Sequence, residues 1–449
     1  MAERRKVIVL DDDPTGSQTV HSAPLLLRWD PGTLRRGLQH PSPLLFVLAN
    51  TRALEPDQAR ARIREICRTL RPLLDEAQAA GELDRWLIVS RGDSTLRGHF
   101  PVEVEAIAAE LGPFDATLLA PAFLPGGRTT RDGVHYLHGE PVHATAFARD
   151  RLFGFRSSDL PAWVEEKTAG RINAAAVQRL GLAELVGPPE QLRARLDGLR
   201  HQQVVAVDAE QPEQLEALGA AVWAVSDPAL PEPRRLLFQS AASLINGLVP
   251  LPPQPLDAAG LAGLRRRDGN GAPLPALVMV GSHVPLADQQ LEALLQEPGC
   301  RGLELPVAKL ARVLDGPAPK ELLASLEQDW LATLRQLLQQ GLTPVLSTSR
   351  GELSFASSQE RRRFGLALAA LMARMAAALA PQLGLIISKG GITTQVLLAD
   401  GLHQASVELQ GQLLPGLSLV LADDLPVITF PGNLGDPGTL RLAWRMLTT

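Results

Sequence analysis

Cysteine is almost missing from this sequence: Cys67 and Cys300 are the 2 present among 449 residues. That excludes a disulfide framework and a cysteine-rich zinc site. Aromatic residues are scarce too, with 6 Trp, 1 Tyr and 11 Phe, too few for a protein that stacks successive bases on aromatic platforms. Neither sign of charge dominates. The 44 Lys and Arg against 49 Asp and Glu leave −5, so the basic face that neutralises nucleic-acid phosphates is lacking. No apolar stretch is clean enough to read as a membrane span; the best, around Ala367 to Ala380, is interrupted by Arg374. The apolar run after Met-Ala-Glu-Arg-Arg is too short for a signal peptide, which makes the cytoplasm the expected compartment.

What the sequence does contain is ordinary globular composition, 45% hydrophobic and 21% charged, enough to exclude intrinsic disorder. At roughly 150 residues per domain the length predicts two or three domains. The 38 glycines and 36 prolines recur at the ends of short apolar runs, where a chain turns sharply or brings its backbone close to a ligand. Buried strands are predicted at Lys6 to Leu10, Leu44 to Ala49, Trp86 to Ser90, Thr117 to Ala120 and Val204 to Val207, with helical patterns at Pro56 to Leu74 and Pro212 to Val225 between them. A proline cluster, three consecutive arginines and Asp-Gly-Asn-Gly mark 251–275 as a linker. A second alternation follows, with strands at Leu277 to Val280, Pro344 to Ser347, Leu385 to Ser388, Leu417 to Leu421 and Val427 to Phe430. Its helices fall near Leu286 to Leu295, Lys320 to Gln340 and Phe364 to Ala380. The expected fold is therefore α/β: two lobes, 1–250 and 276–449, each a mainly parallel sheet with flanking helices, and a cleft between them. Ligands in such sheets gather beyond the carboxyl ends of the strands.

The first strand runs directly into Asp11-Asp12-Asp13-Pro14-Thr15-Gly16. Three adjacent carboxylates repel one another unless a cation or polar ligand offsets the charge, although a solvated turn with an N-cap aspartate would look the same. Placed at a ligand edge, such a carboxylate can take a proton from an alcohol or hold a divalent metal. Arg52 closes the second strand, and Arg91-Gly92-Asp93-Ser94 with Thr95, Leu96, Arg97, Gly98 and His99 closes the third. If those strands are neighbours, Arg52, Arg91 and Asp12 or Asp13 converge. Guanidinium forks match a carboxylate and Asp and Ser suit hydroxyls, a set fitted to a small polar acid such as a sugar acid. A Gly126-Gly127-Arg128 loop could wrap the same ligand. His135, His138 and His143 lie close in sequence, but in a loop whose spacing fits no helical ligand pair.

In the second half, Ser388-Lys389-Gly390-Gly391-Ile392-Thr393 carries a strand through a glycine pair into a helix, a turn whose amides can face an anion. Lys389 could reach phosphates. Neither a Walker A loop nor a Gly-x-Gly-x-x-Gly fingerprint is found here. Gly281-Ser282-His283 and Ser347-Thr348-Ser349-Arg350-Gly351-Glu352 end two other strands of this lobe. Three small, polar strand ends suit a phosphate-rich ligand.

Taken in order, Asp12 to Gly16, Arg91 to Gly98, the loop at 126–128, Gly281-Ser282 and Lys389 to Thr393 resemble the four-carbon acid sugar kinases, from about Lys6 to Gly435. The resemblance implies a sugar-acid-binding N-terminal lobe, an ATP-binding C-terminal lobe, and phosphorylation of erythronate, threonate or 3-oxo-tetronates. It implies substrate contacts by Asp12 or Asp13, Arg52, Arg91, Gly92, Asp93 and Ser94; Gly127 and Arg128 join them as candidates from the loop that could wrap the ligand. It implies ATP contacts by Ser282, Ser347, Thr348, Ser349, Arg350, Gly390, Gly391, Ile392 and Thr393; the need to neutralise the γ-phosphoryl charge adds Mg²⁺ and Lys389. Asp12 or Asp13 is the expected base. Thr394-Gln395 departs from the family pattern, where Ser and Asn/Asp-Asp tend to follow Lys-Gly-Gly-Ile-Thr. The expected partners are a sugar acid and ATP, without nucleic acid or membrane, and with a homodimer as the assembly to test. Two other classes compete: a metal-dependent hydrolase built on Asp11–Asp13 with the three histidines, and a non-catalytic sugar-acid or nucleotide sensor.

Overall fold

The computed structural model describes residues 3–14, 16–17, 19–314, 319–350, 355 and 357–448; Thr15, Gly351 and Glu352 of the motifs above lie outside them. Two compact units divide the chain, Met1–Pro253 and Gln254–Thr449.

The first unit opens with β1 (Arg5–Asp11), β2 (Ala23–Leu26), β3 (Leu44–Leu48), β4 (Arg85–Arg91) and β5 (Ala116–Ala120). A small antiparallel sheet of β6 (Arg128–Arg131), β7 (Val134–Leu137) and β8 (Glu140–Pro141) follows, then β9 (Gln178–Leu180), β10 (Gln203–Val207) and β11 (Leu236–Ser240). The main sheet has the order β2-β3-β1-β4-β11-β5-β10-β9 and every pairing in it is parallel. Helices cover both faces of such a sheet, which is why Val7 to Leu10 and Leu44 to Val47 read as unbroken apolar runs rather than alternating ones. Ile63, Ile66, Cys67 and Leu70 of the helix Pro56–Ala79 pack with Ile107 and Leu111 of the helix Val102–Leu111 against Ile8, Leu45, Val47 and Ile88 of the sheet. The chain leaves β1 for β2 and β3 on one side and returns as β4 on the other. The strand order therefore reverses at the end of β1, the position where α/β sheets open a crevice for ligands.

The second unit repeats the device with β12 (Ala276–Val280), β13 (Cys300–Leu305), β14 (Thr343–Thr348), β15 (Leu385–Lys389), β16 (Ser406–Leu414), β17 (Leu417–Ala422) and β18 (Leu425–Phe430). The order is β13-β14-β12-β15-β18-β17-β16, parallel as far as β18 and antiparallel through β17 and β16. β12 lies between β14 and β15, so this sheet also reverses at the end of its first strand.

Three features differ from the sequence reading. β11, central between β4 and β5, was not predicted, because Leu-Leu-Phe-Gln-Ser offers only three apolar residues before turning polar. The stretch 251–275 is not a free linker beyond Pro253. The helix Ala258–Ala262 buries Leu261, Arg265 donates to the Leu274 carbonyl, and the Arg266 amide donates to Gly384, all within the second unit. Its proline-rich composition reflects turns between short packed pieces. Finally, the helix Ser358–Leu379 is long and apolar enough by composition to cross a membrane. Leu368, Leu371, Met372, Met375 and Leu379 are nevertheless buried, and Arg374 on its exposed side pairs with Glu327.

Candidate active site

At the end of β1 the register sets Asp11 between Leu48 and Arg91. The Asp11 carbonyl accepts from the amides of Ala49 and Asn50, and the Asp12 carbonyl from that of Arg52. The three acid residues and both arginines are thus fixed through the backbone before any side chain is considered. Asp11 points inward and burial pushes its carboxyl up to about 7, against the nearby Arg91 guanidinium. Gly16 makes room for it: a Cβ there would sit 2.0 Å from Asp11 Oδ1, so the backbone at Gly16 comes this close to the buried carboxylate only as glycine.

Asp12 and Asp13 stand in different environments. Asp12 is 2% exposed and takes a two-toothed grip from Arg52, Nε to Oδ2 at 2.9 Å and Nη2 to Oδ1 at 2.5 Å. Burial raises its pKa and Arg52 opposes the rise. Asp13 receives Arg52 Nη1 at 3.3 Å and keeps 24% of its side chain exposed. Arg91 Nη1 lies 3.5 Å from Asp12 and 3.7 Å from Asp11, while its buried Nε has no partner. The convergence of Arg52, Arg91 and the acids on one volume is what neighbouring strands required.

The loop after β4 packs around this cluster. The Gly92 amide donates to Ser240, and the Gln239 amide group lies where a Cβ on Gly92 would go. Asp93 accepts from Arg97 Nε at 2.6 Å and from Thr95; burial raises its pKa, but Arg52, Arg97 and Thr95 hold it down at about 2. The Ser94 carbonyl meets Nε2 of His135 at 2.8 Å. Arg128 lies over the Phe123 ring with Nη1 on the Gly126 carbonyl, its Nε buried and unpartnered, and Asp93 close enough to oppose the pKa-lowering effect of burial. Sequence reasoning missed Gln239, Ser240 and Glu103. The first two arrive on the unpredicted β11. Glu103 looks in sequence like any acidic residue in a helix's first turn; in the fold it is fully buried between Thr51 and Ser90.

The histidines serve other ends. His135 is buried between Thr130 Oγ1 and the Ser94 carbonyl, and burial pulls its pKa down to about 4. His138 packs against Gly127, and His143 Nδ1 contacts Ser158. Among the described residues no three His, Cys, Asp or Glu side chains come within reach of one metal ion.

In the second unit, β12 and β15 end side by side, Val280 opposite Lys389, and the Gly281 amide donates to the Lys389 carbonyl. Gly390, at φ 120°, turns the chain into the helix Gly391–Val396. The close approach of Gly281 lets Thr393 lie against it; a Cβ on Gly281 would fall 2.0 Å from Thr393 Oγ1. Ser282 borders Gly390, and Ile392 is exposed beside the turn. From the end of β14, Arg350 donates to the Ser282 carbonyl and lies 3.0 Å from Asp288, while its Nε and Nη2 are buried without partners. Ser347 is buried in β14, Thr348 contacts His283, and the Ser349 hydroxyl accepts from the Val307 amide, so Ser349 is occupied within the fold. Lys389 differs from the expectation of an outward reach. It is fully buried, Nζ donates to the Pro431 carbonyl at 3.0 Å and lies 3.9 Å from the centre of the Phe430 ring, and burial lowers its pKa to about 7.

Compared with known proteins, residues 7–248 match a sugar-binding N-terminal domain and residues 277–440 a nucleotide-binding C-terminal domain. The chain belongs to the four-carbon acid sugar kinase family. Members of this kinase family that it resembles along nearly the whole length include the D-threonate kinase of Salmonella typhimurium, 28% identical over 97% of this chain and 96% of that one. The D-threonate kinase of Bordetella bronchiseptica is 26% identical over 86% of each chain, and the D-erythronate kinase of Heliobacterium modesticaldum 23% over 91% and 88%. Solved structures from Salmonella typhimurium and Haemophilus influenzae share the kinase's fold at TM-scores of 0.66 and 0.61, both at 18% identity. They cover 99% and 98% of this chain and the whole of their own.

Proposed function

We propose that this kinase transfers the γ-phosphoryl group of ATP to a hydroxyl of a four-carbon sugar acid of the threonate or erythronate type, in the cytoplasm. The observation that carries the reading is the reversal point of the first sheet, where two guanidiniums meet three carboxylates and Arg91 Nε is left buried without a partner. A buried donor without a partner costs about 1–3 kcal/mol, and a ligand carboxylate is the group that removes that cost.

In this reading Arg91, with Arg52, binds the acid's carboxylate, and Asp93 and Ser94 face its hydroxyls. Asp13 is the base. Its carboxylate is the more exposed of the two, whereas both oxygens of Asp12 are held by Arg52. An alcohol is a weak nucleophile at neutral pH, and a positioned base contributes about 10²–10⁴ in rate. On the nucleotide side the amides of the Gly390-Gly391 turn and the two unpartnered nitrogens of Arg350 supply donors for phosphate oxygens. Phosphoryl transfer depends on such positioning and charge neutralisation more than on covalent chemistry. Lys389 acts from behind, tying Pro431 beneath the turn.

Near Gly390 the oxygen donors are the hydroxyls of Ser282 and Thr393, and the Asp288 carboxylate is engaged by Arg350. That hard but mostly neutral set fits a Mg²⁺ that keeps its waters and is held chiefly by the triphosphate. Bound, the ion would neutralise charge developing on the phosphoryl oxygens.

The test is a coupled ADP-release screen with ATP and Mg²⁺ across four-carbon sugar acids. Turnover with at least one tetronate is expected. Ligand-induced stabilisation by a tetronate without ADP release from any would leave a sensor in place of an enzyme.

A further inference from the structure

Glu103 is buried and has no place in the reading above, yet it touches both arms of the acid pocket. It enters from the first turn of the helix Val102–Leu111 and is 3% exposed. One carboxylate oxygen accepts from Thr51 Oγ1, the other from Ser90 Oγ at 2.8 Å. Thr51 immediately precedes Arg52, and Ser90 immediately precedes Arg91. The same chain segment holds Thr51 from a second side. His99 Nε2 lies 3.0 Å from the Thr51 carbonyl and 2.9 Å from that of Leu54, and two carbonyl partners require that nitrogen to carry the proton. On the far side Ser90 Oγ is 3.1 Å from Gln239 Oε1, whose amide nitrogen borders Gly92.

Resting on the sugar-acid reading of this pocket, we propose that Glu103 is a positioning residue that couples Arg52 and Arg91 by bridging Thr51 and Ser90 beneath them. A buried carboxylate is costly to keep unless both oxygens are hydrogen-bonded, and here the two acceptors come in one rigid planar group. That plane adds a side-chain tie to backbones already held on either side of β1, and so steadies two guanidiniums that must address one ligand carboxylate together. A hydrophobic residue of like volume would fill the space but leave the Thr51 hydroxyl unpaired, Ser90 with Gln239 alone, and no side-chain tie between the two segments. Glutamine keeps the planar shape and can accept from Thr51 while Ser90 turns its own proton to Gln239.

The test compares Glu103→Gln with Glu103→Leu, together with Thr51→Val and Ser90→Ala. Calorimetry of the full chain with D-threonate and D-erythronate is read beside ATP binding and a thermal unfolding scan. Glu103→Leu should weaken acid binding by about tenfold or more, the loss of one or two hydrogen bonds to a charged group, with ATP binding unchanged. Thr51→Val and Ser90→Ala should each lose part of that, and adding either to Glu103→Leu should cost little more. Glu103→Gln should restore most of the affinity. A folded Glu103→Leu chain that binds acid like the wild type overturns the proposal, as does equal weakening of acid and ATP. Should Glu103→Leu fail to fold, unaltered acid binding in both Thr51→Val and Ser90→Ala overturns it. A wild-type chain that binds neither acid rejects the sugar-acid reading instead.

Discussion

Arg52 spends three of its nitrogens on two neighbouring carboxylates: Nε and Nη2 close on Asp12, and Nη1 reaches Asp13. The pair with Asp12 is largely buried, so removing one partner strands the other. Arg52→Ala should destabilise the first unit by about 3–5 kcal/mol, the usual cost of an uncompensated buried charge. Arg52→Lys should recover part of the stability but little acid affinity, since an ammonium cannot reproduce the fork. Urea unfolding beside acid binding separates the two effects.

Asp13→Asn should lower turnover by about two to four orders of magnitude while leaving ATP affinity near wild type. Asp12→Asn should behave differently, losing stability along with acid affinity because Arg52 loses its buried counter-charge. Equal rates for Asp13→Asn and wild type in a single-turnover assay would remove the base assignment.

Gly281→Ala tests the nucleotide side. The added methyl would meet Thr393 Oγ1 at a distance no packed pair tolerates, and Thr393 lies in the first turn of the helix Gly391–Val396. The expected outcome is a rise in the ATP dissociation constant of about tenfold, with acid binding unaffected. Fluorescent-nucleotide displacement measures it, and an unchanged constant would place the triphosphate elsewhere.

Lys389→Met should leave the fold at least as stable as wild type, because it exchanges a buried amine for apolar volume of similar length. If the amine acts by tying Pro431 beneath the glycine turn, the ATP KM should rise with acid KM constant. No change in either would reduce the residue to packing.

Glu103, like Asp11, contributes to the pH dependence of stability with a definite sign. Burial, then the charge of Asp12, raises its pKa from the ordinary 4.5 to about 7. Between those values the folded chain keeps a proton that the unfolded chain has released, so this group's contribution falls as pH rises through the window and levels off above it. Glu103→Gln should flatten that part of the profile. Urea titrations at about pH 5 and pH 7.5 read the difference, and parallel profiles for the two chains would refute it.

The sequence alone determined the α/β class, the strands that lead into Asp11–Asp13, Arg52, Arg91 and Lys389, and the order of the motifs, because buried parallel strands announce themselves as compact apolar runs ending in Gly, Ser or Asp. It also pointed to strand ends for a candidate site, since chemistry in such sheets collects there. Tertiary structure decided what adjacency alone could decide. β11 was invisible because its short apolar run gains stability only from neighbours on both sides, and Gln239 and Ser240 came with it. The linker composition of 251–275 hid pieces that fold only against the second sheet. Asp12 and Asp13 are indistinguishable as letters and were separated by one guanidinium and a difference in exposure. Lys389 turned inward because Phe430 and the Pro431 carbonyl, 42 residues away, receive its amine. Glu103 acquired its meaning from two hydroxyls on other strands, contacts that no local pattern encodes.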